Sequence, residues 1–347
     1  MQNLLPGKKL TFIYNVRHSY PDPENPLTFT ETDFDDQETI DTFIKHLKNL
    51  GFDVLPVESD IKAEETLVRE KANIGFVLNY SEEVVGSHPK IYMAEVLERT
   101  GIPFSGCPNS VQRVIINKGK MKEVLLSSGV ATLPFQVMEK GDEKLNPELR
   151  FPLIVKPIAR GSSAGITNKS IVKSEGELYR QIEFVLETFS EPALIEPFIL
   201  GREFSVAMLG NPPELFPIIE PRHDKLPKGY YPIDSFEVKW QFEEELGEDY
   251  FTCPATVDPD LKSKIEKMCL DTWNALGIRD FARIDLRMDN DGNLFVLDVN
   301  SPPGLIPPEI SLTSYFPMEA RVKGIDYEEL LTKIIETGLK RYPGLQS

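Results

Sequence analysis

The sequence predicts an α/β protein of two or three domains. With 347 residues the chain is longer than one ordinary domain, and strand-like and helix-like segments alternate along its first third. Hydrophobic residues make up 41% of the chain and charged residues 27%, which is typical of a globular protein and argues against intrinsic disorder or fibrous repeats. A sizeable hydrophobic core is therefore expected.

The first unit is predicted to alternate strands with helices. Three apolar runs are its strands: 8–16, 52–57 and 74–79. After a stretch rich in Pro, Asp and Thr, apolar residues recur at helical spacing from Ile40 to Leu50, and Gly51 then ends the helix. A second helix is predicted at 61–71.

Two further units follow along the chain. The second is predicted as a helix, a strand, a Gly/Ser loop, a helix and a strand: 118–129, 153–156, 161–165, 175–188 and 193–196. The third contains a polar loop at 221–249, whose glutamates 243–245 are expected to face solvent. It continues with a helix that Asp258 and Pro259 begin and Gly277 ends. The predicted domains are 1–115, 116–205 and 206–347.

Charge and residue usage exclude several classes of function. Lys and Arg number 38 against 55 Asp and Glu, and the net charge of −17 disfavours nucleic acid and anionic membranes as partners. No apolar run is long enough to span a bilayer, and the first nine residues lack the apolar core of a signal peptide, so we expect a cytoplasmic protein. The three cysteines and four histidines are scattered, which disfavours disulfides and zinc sites.

The strongest chemical signal is a predicted hairpin near the end of the chain. Two alternating runs flank an Asp291-Gly292 turn, a pair typical of tight hairpins. If Met288 pairs with Asn293, Arg283 lies directly opposite Asp298. Four polar side chains then share one face: Arg283, Asp285, Asp298 and Asn300.

Oxygen ligands on this face suit a hard cation. Mg²⁺ usually takes one or two carboxylates together with substrate phosphates. The alternatives are an exposed, ion-paired hairpin and an EF-hand calcium loop. The EF-hand fails at its first ligand position, which would be Arg287. We therefore predict a magnesium site.

A second signal is a strand that ends in Lys156 and leads into a loop of small residues. The loop reads Arg160-Gly-Ser-Ser-Ala-Gly165, and small residues let backbone N–H groups approach phosphate oxygens. A flexible turn would look the same, and the Walker spacing is absent. Downstream, Glu196 and Glu203 lie seven residues apart at the end of another strand, a pattern that by itself indicates only strand, turn and strand.

Together and in this order, these blocks resemble the ATP-grasp superfamily, most closely its D-alanine–D-alanine ligase group. The matching pieces run from about Asp53 to Tyr342. They are Gly101-Ile-Pro-Phe-Ser-Gly106, Asn117-Lys118, Val155-Lys156-Pro157 with Gly161 to Gly165, Glu196 with Gly201 to Phe204, Val238-Lys239-Trp240, Cys253-Pro254-Ala255, Arg283-Ile284-Asp285, and Leu297 to Asn300 followed by Pro303-Gly304.

The resemblance implies an ATP-grasp fold of three α/β units. An N-terminal unit with a parallel sheet would precede two units that sandwich ATP. By position, the phosphates would contact Lys118, Lys156 and Lys239, and the loop closing over them would contain Ser162 and Ser163. Adenine and ribose would be held by Glu196, Pro197, Phe198, Ile199 and Glu203. Two Mg²⁺ ions, with Mn²⁺ as an alternative, would bind Asp285, Asp298 and Asn300.

The implied chemistry is ATP-dependent ligation of a carboxylate and an amine, both small molecules, in an enzyme expected to be a homodimer. ATP phosphorylates the carboxylate, and the amine attacks the acyl phosphate to give an amide, ADP and phosphate. The residues are compatible with this, because phosphoryl transfer needs positioning and charge neutralisation more than a covalent nucleophile. Arg283 is placed to stabilise the tetrahedral oxyanion. We assign catalytic roles to Arg283, Lys239 and Ser162.

The sequence departs from the family where the first D-alanine is normally recognised. Residues 15–20 and an insertion reaching Asp36 replace a Ser-x-Glu segment whose glutamate holds the amino group, and residues 79–82 replace a His-Gly segment. Trp240 replaces a tyrosine and can donate but not accept a hydrogen bond. An acid of the insertion could fold back and replace the lost glutamate: Glu31, Asp33, Asp35 or Asp36.

Two departures concern the metal ions and the second substrate. Asp298 stands where glutamate is usual, one methylene shorter. After Gly304, Glu309 occupies the unshifted position of a serine that binds the second substrate's carboxylate, and Ser311 takes that position if two residues are inserted. An acid at this point would favour an amine or guanidine. We expect the substrate site to include Arg283, Gly304, Trp240, Glu309 and Ser311.

Three functions remain open at this point. The leading hypothesis is an ATP-grasp ligase that forms an amide or peptide bond through an acyl phosphate with a substrate other than D-alanine. The second is a cell-wall D-alanine–D-alanine ligase. The third, a non-catalytic ATP-binding regulatory module, predicts lost metal ligands, whereas Asp285, Asp298 and Asn300 are all oxygen donors.

Overall fold

The computed structural model describes residues 4–22, 25, 29 and 31–345. Parts of the predicted domains 1–115 and 206–347, and of the insertion before Asp36, lie outside these described residues. None of the helices in the described part of the chain combines the length and apolar composition that membrane crossing requires.

A parallel sheet of order β2-β1-β3 forms the centre of the N-terminal unit, in agreement with the prediction. Its elements are β1 (Lys9–Tyr14), α1 (Gln37–Asn49), β2 (Val54–Glu58), α2 (Ala63–Glu70), β3 (Ile74–Tyr80), α3 (Met93–Thr100) and α4 (Asn109–Ile116). The strands and the first two helices were predicted. Helices α3 and α4 were not predicted.

The second unit contains an antiparallel sheet of order β4-β7-β5-β6. Its elements are α5 (Lys118–Ser127), β4 (Gln136–Met138), β5 (Leu153–Pro157), β6 (Ile171–Val172), α6 (Glu175–Phe189) and β7 (Ala193–Pro197). Helix α6 begins where the Ser174 side chain accepts a hydrogen bond from the Glu177 backbone, and it buries Leu178, Ile182 and Val185 against the sheet. The Gly/Ser loop connects β5 with β6.

The third unit contains a second antiparallel sheet, of order β13-β12-β8-β9. Its elements are β8 (Gly201–Gly210), β9 (Pro213–Leu215), β10 (Glu220–Pro221), α7 (Glu243–Leu246), β11 (Phe251–Thr252), α8 (Pro259–Leu276), β12 (Phe281–Asp289), β13 (Leu294–Asn300), α9 (Tyr315–Val322) and α10 (Tyr327–Leu339). Helix α8 has the predicted ends: Asp258 accepts a hydrogen bond from the Leu261 backbone, and Gly277 is left-handed.

The segment predicted as a polar loop at 221–249 is partly helical. A π-helical turn, Val238–Phe242, leads directly into α7. Phe236 and Val238 anchor this segment because both side chains are almost fully buried. The loop prediction is therefore wrong over these residues, since burial of two apolar side chains outweighs the polar composition around them.

The last two helices of the chain return to the N-terminal sheet. Leu330 and Ile334 of α10 belong to the same buried cluster as Phe12 and Phe76 of the first sheet. Gly338 allows the close approach, because a Cβ there would lie 2.6 Å from the ring of Phe76. Strand β8 belongs to the third sheet from Gly201 onward, so the sheets place a division slightly before residue 205. The division into three domains remains a proposal.

Candidate active site

The hairpin of β12 and β13 carries the predicted metal face, but in a different register. Arg283 pairs with Asn300, and Asp285 pairs with Asp298. The prediction that Arg283 lies opposite Asp298 is therefore wrong. Nearer the turn Met288 pairs with Leu294, one residue away from the predicted partner.

A β-bulge explains why the same face results. A slip of one residue would turn every side chain of one strand to the other side of the sheet. The bulge adds a second residue at Leu297, so that Val296 and Val299, three apart, are both buried. The one-residue shift near the turn and the bulge together displace the pairing by two residues. Two residues are one full period of a strand, so the predicted polar side chains stay on one face.

Asp285 is the centre of this face. The Arg283 guanidinium donates two hydrogen bonds of 2.8 Å to its carboxylate, and Asn300 Nδ2 donates a third, also of 2.8 Å. Ser205 Oγ donates a fourth. Burial raises the pKa of Asp285, but the charge of Arg283 and these hydrogen bonds outweigh it and hold the pKa below the ordinary value.

Asp298 is paired with a cation as well. Its Oδ2 lies 2.9 Å from Lys118 Nζ, which also donates a 2.9 Å hydrogen bond to the Arg160 carbonyl. Burial lowers the pKa of Lys118, but Asp298 outweighs it, and the net pKa is raised. The described residues contain no cluster of three or more acidic, histidine or cysteine side chains in position to hold a metal ion.

The donor set nevertheless suits Mg²⁺. Two carboxylates and one amide supply only oxygen ligands, and both carboxylates already attract a positive charge. The Asn300 amide uses its nitrogen toward Asp285, so this contact does not engage its oxygen. Lys118 and Arg283 neutralise the two carboxylates to which the metal ions would bind.

The backbone of the Gly/Ser loop has an unusual conformation. Ser162 and Ser163 both have left-handed φ angles, 44° and 59°, which cost of order 1–3 kcal/mol each for non-glycine residues and are typical of ligand clamps. Two contacts hold the loop in place: Ser163 Oγ donates to the Asp234 carbonyl, and Asp33 Oδ2 accepts from the Gly161 backbone at 3.1 Å.

Behind the loop lies a buried triad of charges. Glu196 has no exposed surface and forms ion pairs with Lys122 Nζ at 2.5 Å and Lys156 Nζ at 2.9 Å. Although burial opposes ionisation, the two lysines lower the pKa of Glu196 to about 2. The Glu196 side chain therefore lies beneath Lys156. It does not line the cavity beside Lys156, where it was predicted to hold adenine or ribose. Sequence reasoning missed Lys122, whose signal is a lysine beside Met121 on the apolar side of α5.

The other residues predicted for adenine and ribose lie together near the start of β8. The ring of Phe198 packs against Tyr231, and Pro197 and Ile199 flank it in the chain. Arg287, almost fully buried, donates to Glu203 at 2.7 Å and to the carbonyl of Ile199 at 3.2 Å. Burial, followed by the charge of Asp234, raises the pKa of Glu203.

Two connected cavities lie between the units. The smaller, of about 110 Å³, is called the cleft; its polar lining includes Lys118, Lys156, Ser162, Ser163, Glu203, Lys239, Arg283, Asp285, Asp298 and Asn300. The larger, of about 510 Å³, is called the substrate cavity, and its polar lining includes Arg17, Asp33, Asp35, Asp36, Glu82, Lys239, Trp240, Glu243, Arg283, Ser311, Thr313 and Ser314. Lys239, Arg283 and Asn300 line both cavities.

Four of the five predicted substrate residues line the substrate cavity. These are Arg283, Gly304, Trp240 and Ser311. Glu309 does not, and its prediction as a substrate residue is corrected: its side chain is 57% exposed, and its carboxylate lies 3.0 Å from His46 Nε2 of α1. The chain between Leu305 and Ser314 turns Ile306, Ile310 and Ser311 inward, so Glu309 faces away from the cavity.

The N-terminal insertion forms a wall of the substrate cavity. Phe29 stacks on Phe236 at 4.4 Å between ring centres, and the Arg17 guanidinium lies 4.6 Å from the centre of the Trp240 ring. Of the four acids that could replace the family glutamate, three line the cavity: Asp33, Asp35 and Asp36. Glu31 instead accepts hydrogen bonds from the backbones of His18 and Ser19.

Ser314 and Glu243 are among the residues of the cavity that were missed from the sequence. Ser314 precedes the first turn of α9, and its Oγ accepts a 3.3 Å hydrogen bond from the Ile306 backbone; its signal is a serine just before an apolar helical run. Glu243 was expected to face solvent, and that expectation is wrong. Burial, followed by the charge of Asp234, raises its pKa to about 7. Its signal is a position one helical turn after Lys239.

Comparison with known proteins identifies the family. The family model described as D-ala D-ala ligase C-terminus matches residues 124–336. The chain belongs to the D-alanine–D-alanine ligase family. It is therefore an ATP-grasp ligase that joins a carboxylate to an amine, and ATP and Mg²⁺ are the cofactors of this family. This membership disfavours the non-catalytic module.

Individual relatives agree with this assignment. The ligase is 29% identical over 332 residues to the uncharacterized protein y4sG of Sinorhizobium fredii, covering 94% of this chain and 92% of that protein. It is 30% identical to the D-alanine–D-alanine ligase of Desulfotalea psychrophila, over 72% of this chain and 74% of that protein. It is also 30% identical to the D-alanine–D-alanine ligase of Aquifex aeolicus, over 84% of this chain and 91% of that protein.

A solved structure confirms the fold. The crystal structure of D-alanine–D-alanine ligase from Bacillus anthracis complexed with ATP has a TM-score of 0.70 to this ligase at 23% identity. The match covers 97% of this chain and 99% of that one. The predicted ATP-grasp fold is therefore confirmed.

Proposed function

We propose that this ligase acts on a substrate other than D-alanine, one that is larger and carries an additional positive charge. The observation that carries the proposal is the lining of the substrate cavity. Its described residues include five carboxylates, Asp33, Asp35, Asp36, Glu82 and Glu243, against three cationic side chains, Arg17, Lys239 and Arg283. Two D-alanine molecules together have twelve non-hydrogen atoms and leave much of a cavity of about 510 Å³ unfilled.

Burial supports the same substrate class. The pKa of Glu82 is raised to about 8 by burial and the nearby charge of Asp33, and the pKa of Asp35 is raised to about 6 by burial. Carboxylates that face one another out of water lack counter-charge, and an ammonium or guanidinium in the cavity supplies it. The amine or guanidine of the substrate, predicted from the sequence to lie beside Glu309, is thus assigned to the wall that the insertion forms.

The cleft is proposed to hold ATP. Lys118, Lys156 and Lys239 would contact its phosphates, with the backbone of Ser162 and Ser163 above them. Glu203 and the 197–199 segment would hold ribose and adenine. Asp285, Asp298 and Asn300 would hold two Mg²⁺ ions, whose chemistry is to neutralise phosphate charge. On this proposal Glu196 keeps Lys156 in place.

The junction of the two cavities is proposed as the reaction centre. The substrate carboxylate attacks the γ-phosphorus of ATP, giving ADP and an acyl phosphate, and the amine then displaces phosphate from the acyl carbon. Arg283 lines both cavities and is placed to stabilise the tetrahedral oxyanion. Lys239 also lines both cavities and would contact the γ-phosphate before and after its transfer.

The test is ADP release with matched amino acids. D-alanine, D-norleucine and D-lysine are compared, each also as the L enantiomer, because norleucine differs from lysine chiefly by lacking the terminal ammonium. We expect a kcat/KM for lysine at least tenfold above that for norleucine, with the products identified by mass spectrometry. A kcat/KM for D-alanine of about 10⁴ M⁻¹s⁻¹ or more would overturn the proposal.

A D-alanine–D-alanine ligase is the second candidate, favoured by one observation. Asp33, Asp35 and Asp36 line the cavity and offer a partner for the ammonium of a first D-alanine, and Ser311 and Ser314 line the wall that meets a second carboxylate. The same assay decides between the two functions. We also propose that the ligase is a homodimer. Light scattering of the purified protein tests this.

A further inference from the structure

Amide formation in this site requires a proton acceptor. The attacking amine is an ammonium ion near neutral pH and has no lone pair until it loses a proton. The group that takes the proton must lie in the substrate cavity near Arg283 and Lys239, where the acyl carbon is proposed to react. Trp240 lies there, but its indole N–H donates and cannot accept.

The acids of the insertion lie on another wall of the cavity, and each has a hydrogen-bond donor there. Asp33 accepts from the Gly161 backbone at 3.1 Å, and Asp36 accepts from the Thr39 backbone at 2.8 Å at the start of α1. Asp35 accepts from the Tyr80 hydroxyl at 2.8 Å. All three belong to the wall that the N-terminal unit contributes.

Glu82 belongs to the N-terminal side too. It follows β3, and the charges that act on it are those of Asp33, Lys90, Glu83 and Lys118. Neither Arg283 nor Lys239 is among the charges that act most strongly on Glu82.

Glu243 lies on the opposite wall. It is the first residue of α7, directly after the π-helical turn that carries Lys239. Its side chain lines the substrate cavity together with Lys239, Arg283 and Thr313. Thr313 acts on its carboxyl as a hydrogen-bond partner, and Lys239 and Arg283 act on it as positive charges. The charge of Asp234 also faces it, and the hydroxyls of Tyr250 and Tyr315 lie within its field.

We propose that Glu243 is the general base that deprotonates the attacking amine, an inference that rests on the proposed function. The ammonium gives one proton to the Glu243 carboxylate, and the freed lone pair forms the C–N bond. The C–O bond to phosphate then breaks with its electron pair, and the departing phosphate takes the second proton from the new amide nitrogen. Thr313 holds the carboxyl in place, and the proton passes to solvent after the amide forms.

The charge state of Glu243 agrees with this role. Burial and Asp234 raise its pKa to about 7, against the opposing charges of Lys239 and Arg283. A base works best when its pKa lies near the working pH. Below that pKa Glu243 is protonated and cannot accept a proton, so the rate of amide formation falls as the pH is lowered through about 7.

The experiment compares Glu243→Gln with Glu245→Gln, an exposed glutamate of the same helix. Each protein is assayed with ATP and the amino acid that releases ADP fastest from the native ligase, first as its own acceptor and then with hydroxylamine. Hydroxylamine is uncharged at neutral pH and needs no base. We expect Glu243→Gln to lower kcat for the amino-acid acceptor by about 10²-fold or more. Hydroxamate formation and the KM for ATP should stay near native values, and Glu245→Gln should behave as the native protein.

The pH profile gives a second readout. The native kcat is expected to rise through a pKa near 7, and in Glu243→Gln this step is lost, whereas Glu243→Asp restores it in part. Equal losses with the amino acid and with hydroxylamine, or an unchanged pH profile, would overturn the assignment. Failure of the native ligase to form either product would instead contradict the proposed function on which it rests.

Discussion

The cleft and the substrate cavity meet at Lys239, Arg283 and Asn300, yet their walls have different origins. The cleft is built from strand ends and short loops, where β5 ends in the Gly/Ser loop and β12 and β13 form one hairpin. The substrate cavity is built from the insertion, the π-helical turn and the 305–314 segment, which are far apart in the sequence. On the proposed function, phosphate chemistry thus uses local geometry, whereas substrate choice uses segments that only the fold brings together.

The largest expected effect breaks the cleft. Asp285→Asn removes one carboxylate charge from the proposed metal face, and we expect ADP release to fall by about 10³-fold or more, since each 1.4 kcal/mol of lost stabilisation is tenfold. Asp291→Asn, in the exposed turn of the same hairpin, is the control and should keep native activity. A single cooperative thermal unfolding transition in each variant shows that the fold is intact, and the transition of Asp285→Asn should lie at the lower temperature because Arg283 loses its buried partner. Near-native turnover of Asp285→Asn would remove Asp285 from the site.

The next effect separates stability from chemistry in the triad. Glu196→Gln leaves Lys122 and Lys156 buried beside each other, and we expect a loss of about 3–5 kcal/mol in the free energy of unfolding by urea at pH 7. Glu266→Gln, in an exposed pair with Lys262, should change it by less than about 0.5 kcal/mol. Similar losses in both variants would show that the triad adds nothing.

The triad also predicts a pH dependence. The folded-state pKa of Glu196, about 2, lies below its ordinary value of 4.5. Its stabilisation is therefore complete above about pH 4.5 and is lost as the pH falls toward 2. The difference between native protein and Glu196→Gln in urea unfolding should narrow over this range, and a constant difference would contradict the assignment.

A smaller effect sharpens the account of the substrate cavity. Asp35→Asn keeps an acceptor for the Tyr80 hydroxyl but removes a charge from the insertion wall. We expect the ratio of kcat/KM for lysine to that for norleucine to fall by about tenfold, as for loss of one partly screened ion pair. The KM for ATP should not change. An unchanged ratio would mean that Asp35 does not face the substrate's charge.

The smallest effect concerns Asp298. Glutamate at this position adds one methylene and extends the carboxylate away from the hairpin, so Asp298→Glu should lower the Mg²⁺ concentration for half-maximal activity by about threefold and reduce any preference for Mn²⁺. Metal titrations of ADP release by both proteins measure this. Superimposable titrations would show that the bulge at Leu297 already compensates for the shorter side chain.

Much of the fold and part of the cleft follow from the sequence alone. The ends of α8 were predicted because Asp258, Pro259 and Gly277 act on their immediate neighbours, and the strand before Lys156 was predicted from its apolar run. The polar face of the hairpin was predicted from alternation, even though its register was wrong. Each of these rests on interactions within a few residues, which are visible in the order of residues.

Only the tertiary structure decided the substrate cavity. Glu243 is the first of three consecutive glutamates, a pattern typical of a solvated surface, and burial near Lys239, Arg283 and Thr313 raises its pKa. Asp33 reaches Gly161 across 128 positions of the chain. Periodicity shows which side of a segment is apolar, but what covers that side depends on packing between distant segments. For this reason the sequence determined the fold family and the polar face of the hairpin, whereas packing decided which side chains line the substrate cavity.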